Sequence, residues 1–137
     1  MLTRLILLLA LLPSAALAEV CDKERPDWNP AHGPATGLDE LVFLFTSLPG
    51  LGMLGAITLA ALTGQKRYFA ITALFSALIG AAQWITVTAP DELTRAAISE
   101  GCVGPQTLPI AACAILTSTA LVFLALLWLR ERPATRI

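Results

Sequence analysis

Read for apolar runs, the chain falls into four stretches divided by more polar segments. Leu5 to Leu12 is unbroken hydrocarbon behind Arg4, and three longer stretches follow at about 40 to 62, 68 to 88 and 107 to 129. These three are apolar on every face, and a helix with no polar face to give to water belongs in lipid. About 20 such residues cross the ~30 Å hydrocarbon layer, where the backbone must satisfy its own hydrogen bonds. The pattern predicts an all-α membrane protein with three transmembrane helices. The first span opens after Asp39-Glu40, closes at Thr63-Gly64 and contains Pro49, which invites a kink. The second starts at Tyr68-Phe69 and stops before Pro90; the third starts near Pro105 or Pro109 and ends at Arg130. None carries an ionisable side chain in its interior.

The first run is of another kind. Residues 1–18 join a lone Arg to a short apolar core, a breaker at Pro13 and a small-residue ending Ala16-Leu17-Ala18, the layout of a secretory signal peptide cleaved before Glu19. An uncleaved anchor is a poorer reading, because Pro13 and the small residues make a weak lipid-facing helix. Cys21 does not suit a lipoprotein, since Glu19 and Val20 precede it where small residues are required.

Charge then sets the orientation. With the mature N-terminus exported, the inner connector and the basic tail 130–137 hold Lys66, Arg67, Arg130, Arg132 and Arg136 against Glu131, a net of +4. The outer side holds Lys23, Arg25 and Arg95 against Glu19, Asp22, Glu24, Asp27, Asp39, Glu40, Asp91, Glu92 and Glu100, a net of −6. The positive-inside bias agrees with the signal peptide, and the two are independent. Trp84 near the outer end of the second span, and Tyr68 and Trp128 near inner ends, stand where interfacial aromatics belong. The layout suits a bacterial inner membrane, with the N-terminus periplasmic and the C-terminus cytoplasmic.

The exported parts are the segment 19–39 and the loop 89–106; the membrane domain is 40–129. The segment carries Pro26, Pro30, Pro34, Gly33 and Gly37 and cannot build a core of its own. Its Trp28 either docks on the helices or sits among headgroups. In the loop, Pro90-Asp91-Glu92 and Gly101 are start and stop signals for a short helix with Leu93, Ala96 and Ala97 on one face, lying along the surface or capping the bundle. Cys21 and Cys102 fall on the same, oxidising side and are paired here as a structural disulfide. Cys113, within the third span beside Ile110, Ala111, Ala112 and Ala114, packs as a small apolar residue.

Composition narrows the function classes. Hydrophobic residues make up 56% and charged residues 14%, against roughly 45–50% and about 25% in soluble domains. A formal charge of −1 offers no basic field for nucleic acid. His32 is the only histidine, so two-histidine haem ligation is excluded within one chain, and the spacing of His32, Asp27 and the cysteines matches no metal motif. No Ser-His-Asp set, phosphate loop or intramembrane carboxylate pair appears, so the chain reads as non-catalytic, with no cofactor assigned.

The remaining signals concern packing. Gly52, Ala56 and Ala60 on the first span, and Ala73, Ala77 and Ala81 on the second, recur every four residues and offer flat faces for close helix approach, to each other or to a partner. Gln83, beside Trp84, is the one amide deep in a span; it either bonds between helices or joins Trp84 and Trp28 in a lipid or quinone site. The economical reading is an accessory, scaffolding or assembly subunit that lives in the bilayer with a membrane protein partner or as a homo-oligomer. The alternative is an exported-side lipid, quinone or thiol-redox binding protein.

Overall fold

In a computed structural model the chain is described over residues 20–131; the leader read over 1–18 and the tail beyond Glu131 lie outside the described residues. Five α-helices follow a helical turn at 20–24 and a single 3-10 turn, Pro30–His32: α1 (Gly37–Thr46), α2 (Leu48–Thr63), α3 (Lys66–Thr88), α4 (Glu92–Glu100) and α5 (Thr107–Glu131). Among the described residues there is no strand. α3 and α5, with 23 and 25 residues, run about 34 and 37 Å at ~1.5 Å per residue. Both are long and apolar enough to cross a membrane.

The first predicted span differs from expectation. It starts at Gly37 rather than Glu40, because Thr36 and Asp39 form a reciprocal capping box ahead of it. It is also two helices, α1 and α2, bent by 71° at Ser47. The cause is local. In a continuous helix the Pro49 ring would press on the carbonyl of Phe45, four residues back. Ser47 instead adopts extended backbone, accepts from the Gly50 N–H through its hydroxyl oxygen, and puts Pro49 into the first turn of a new helix. Gly50 completes the break, since a Cβ there would lie 1.8 Å from the Leu44 carbonyl oxygen. The kink anticipated at Pro49 is thus a full break two residues upstream.

α3 is the central helix, packed on one side by α2 and on the other, most extensively, by α5. α1 turns back from α2 to lie against α5. The interior is thin: Leu44, Met53, Ala60, Ala73, Cys113 and Ala120 are its buried apolar residues. α3 and α5 approach so closely that a Cβ on Gly80 would stand 3.0 Å from that of Cys113. Across this seam Ser76 Oγ and Thr117 Oγ1 hydrogen-bond at 2.8 Å, and Phe69 stacks on Phe123 with centroids 5.5 Å apart. At the far end Lys66 pairs with Glu131 and lies over the Trp128 ring.

The predicted loop helix is α4, with one change at its start. Asp91 is its N-cap and accepts from the Thr94 N–H at 2.8 Å, so Pro90 stands outside the helix rather than in its first turn. Gly101 ends it in the left-handed conformation at φ +84°, as its place in the sequence suggested.

Candidate functional site

The polar chemistry gathers where the N-terminal segment folds over α4 and the start of α5. Cys21 and Cys102 are bonded, with Cα atoms 5.8 Å apart, joining positions 81 residues apart in sequence. Around them Val20, Trp28 and Val103 pack on buried Ala97, so Trp28 is docked on this small cluster. Ala97 is therefore the inward residue of α4, while Leu93 remains 42% exposed.

Beside the disulfide lies a polar clasp centred on Glu40, only 3% exposed. Its Oε1 accepts from the Gly104 backbone N–H at 2.7 Å, and its Oε2 accepts from Gln106 Nε2 at 2.7 Å and pairs with Arg25. Arg25 also stacks over the Phe43 ring, 3.6 Å from its centroid. Burying a carboxylate is costly unless it is paired and fully bonded, and here one carboxylate draws together three segments. Close backbone approach supports the clasp. Ala35 N–H donates to the Gly101 carbonyl at 2.7 Å, and a Cβ on Gly104 would fall 2.6 Å from the Ala35 carbonyl oxygen.

Arg25, Trp28, His32, Asp39 and Phe43 line part of a groove of about 430 Å³ between the segment and α1. Its walls mix aromatic rings with acidic and amide groups, a lining suited to a small amphipathic molecule. The Trp28 indole N–H is buried without a hydrogen-bond acceptor. His32 is exposed, and it is not part of the one cluster of metal-ligand side chains found among the described residues, Cys21 with Glu100 and Cys102. Asp91, outside the apolar helices, has its carboxyl held below the usual range by hydrogen bonds from the Thr94 side chain and backbone.

The residues singled out from sequence are distributed as follows. Gln83 is half-buried and Trp84 is 59% exposed, and neither lines the groove that holds Trp28. The hydroxyls of Thr86 and Thr88 donate to carbonyls of their own helix. Of the two stripes, Ala60 and Ala73 are buried, Ala56 is half-buried, and Gly52, Ala77 and Ala81 are exposed. On α3 the packed face runs through Thr72, Ala73 and Ser76 toward Gly80, not along Ala73, Ala77 and Ala81. On α2, Gly52 faces the Phe75 ring, with 3.4 Å to a Cβ placed there. Sequence reasoning missed Glu40, Arg25, Gln106 and the Ser76–Thr117 bond.

The chain matches no family model, and comparison with curated proteins and with solved structures finds no significant relative.

Proposed function

We propose that the mature chain crosses a bacterial inner membrane three times, with its N-terminus exported after removal of a signal peptide, and serves as a non-catalytic accessory or assembly subunit of a membrane complex. In this reading the broken pair α1–α2 supplies the first crossing. α2 alone, 16 residues or about 24 Å, falls short of the ~30 Å hydrocarbon layer. α1 makes up the difference while tilting toward the surface. The clasp and disulfide then cap the exported end.

One observation carries the accessory reading: part of the small-residue stripe on α3 is left exposed. α3 buries Ala73 and Ser76 against its neighbours, while Ala77 and Ala81 stand open. Small residues let helix backbones approach, and dispersion and backbone contacts hold helices together in lipid, where apolar burial gives no drive. A photo-crosslinking residue placed at Ala77 in cells tests this. The reading expects one protein adduct of constant mass, whereas lipid adducts alone would refute it.

The groove beneath Trp28 supports a second reading, capture of a lipid or quinone on the exported side. Gln83 and Trp84 do not line this groove, so in this reading Trp28, Phe43 and Arg25 make the contacts. A quinone photoprobe whose labelling is unchanged by Trp28→Ala and Phe43→Ala would remove it.

A further inference from the structure

We propose that, once the disulfide is opened, Cys21, Glu100 and Cys102 form a three-ligand site for a thiophilic divalent cation of the zinc class. The two sulfurs and a carboxylate oxygen of Glu100 lie within 4.8 Å of one another. Glu100 Oε2 stands 3.2 Å from Cys21 Sγ, a contact with no hydrogen to share while the disulfide is closed. The other oxygen, Oε1, is buried with no hydrogen-bond partner. A carboxylate so placed has acceptor capacity that the oxidised protein leaves unused. Two thiolates and a carboxylate are zinc donors, and three protein ligands leave a fourth position for water.

The site needs its cysteines to stay together after reduction, and the Glu40 clasp provides for that without the disulfide. Arg25, four residues beyond Cys21, and Gly104, two beyond Cys102, bind the same carboxylate. Each cysteine is also held by its own backbone: the Cys21 carbonyl accepts from the Arg25 N–H at 2.7 Å, and the Cys102 N–H donates to the Ala97 carbonyl at 3.1 Å. Tetrahedral zinc sets its sulfurs about 3.8 Å apart. Side-chain torsions can supply that separation across a Cα–Cα distance of 5.8 Å.

The chemistry balances with a dithiol as co-reactant. Its thiolate attacks one sulfur of the Cys21–Cys102 bond to give a mixed disulfide, and its second thiol displaces the protein sulfur. The dithiol leaves as a disulfide, having given two electrons and two protons to the pair. The cation then displaces the two thiol protons, and with the Glu100 carboxylate the three ligands and metal carry one net negative charge.

The test uses the full chain in detergent, in a Cys113→Ser background so that this pair supplies the only thiols. The probe is Co²⁺, whose sulfur-to-metal charge-transfer absorption reports thiolate ligation. After dithiothreitol treatment and anaerobic desalting, one Co²⁺ is expected to bind per chain and to be displaced by Zn²⁺. The unreduced protein is expected to give no such band, and Glu100→Gln to weaken binding at least tenfold. A reduced chain without the band, or Glu100→Gln binding as tightly as its parent, would overturn the proposal. So would loss of hydrogen-exchange protection at the Gly104 amide on reduction, because the clasp would then not hold the cysteines together.

Discussion

Substituting Glu40 tests whether the clasp holds the cover in place. Glu40→Ala strands the Gly104 N–H, the Gln106 amide and the Arg25 guanidinium at once. Removing one partner of a buried pair costs about 3–5 kcal/mol, most of it for the charge left behind. Arg25 keeps its contact with Phe43 and retains 11% exposure, so it can turn partly to water, which places the cost at the lower end. A value near 3 kcal/mol is roughly two orders of magnitude in the opening equilibrium. Glu40→Gln keeps a carbonyl oxygen for Gly104 but puts a donor where Oε2 accepted from Gln106 and Arg25. Because the Gln106 amide can turn its own carbonyl oxygen to that donor, the cost is about half as large. The assay is amide hydrogen exchange at Gly104 in detergent with the disulfide intact. Protection should fall about a hundredfold in Glu40→Ala and about tenfold in Glu40→Gln. Arg25→Ala combined with Glu40→Ala should lose clearly less than the sum of the singles. Protection within about threefold of the parent in both Glu40 variants would refute the reasoning.

Three further outcomes follow from the same geometry. Gly50→Ala places a methyl group against the Leu44 carbonyl and the Phe45 backbone. The break must then shift, and the melting temperature in detergent should drop by an amount corresponding to about 1–3 kcal/mol or more. Ser76→Ala removes the one hydroxyl bond between α3 and α5 seen among the described residues; unfolding in mixed micelles should show a loss of about 0.6–1.7 kcal/mol, and a variant as stable as the parent would leave that bond without effect. The carboxyl of Asp91 is depressed below its ordinary value of 3.8 by the Thr94 bonds. Its support of α4 is therefore complete above that value and lost as pH falls through the lower, folded value. Protection of the Thr94 amide, taken relative to the intrinsic exchange rate at each pH, should fall across that acid range in the parent and stay flat in Asp91→Ala.

Much of the architecture could be read from the chain because its causes are local. Gly64 and Gly101 end their helices as left-handed residues, as glycines following apolar or amphipathic runs do. The pairing of Cys21 with Cys102 followed from placing both on one side of the membrane. The break at Ser47 also had a local signal, a serine two residues ahead of a proline, which is an N-cap followed by a first-turn proline. Reading the stretch as one apolar run hid it. On α3, stepping by four residues drifts about 40° per step around a helix with about 100° per residue. Alternating steps of three and four stay on one face, which is why Ser76 and Gly80 meet Thr117 and Cys113 of α5 while Ala77 stands exposed at the edge of that seam and Ala81 is exposed. Glu40 was not legible at all. Next to Asp39 it reads as a second helix-start acid, and its partners Gly104 and Gln106 lie 64 and 66 residues away.

These features describe a thin bundle with a cover clasped at one end and with Ala77 and Ala81 of α3 exposed. Native separation of gently solubilised membranes, carrying a tagged copy at native expression, tests the accessory-subunit reading most directly. That reading predicts migration with a larger assembly at fixed stoichiometry, reduced when Ala77 and Ala81 are replaced by Leu. Migration alone or as a small homo-oligomer, unchanged by those substitutions, would contradict it.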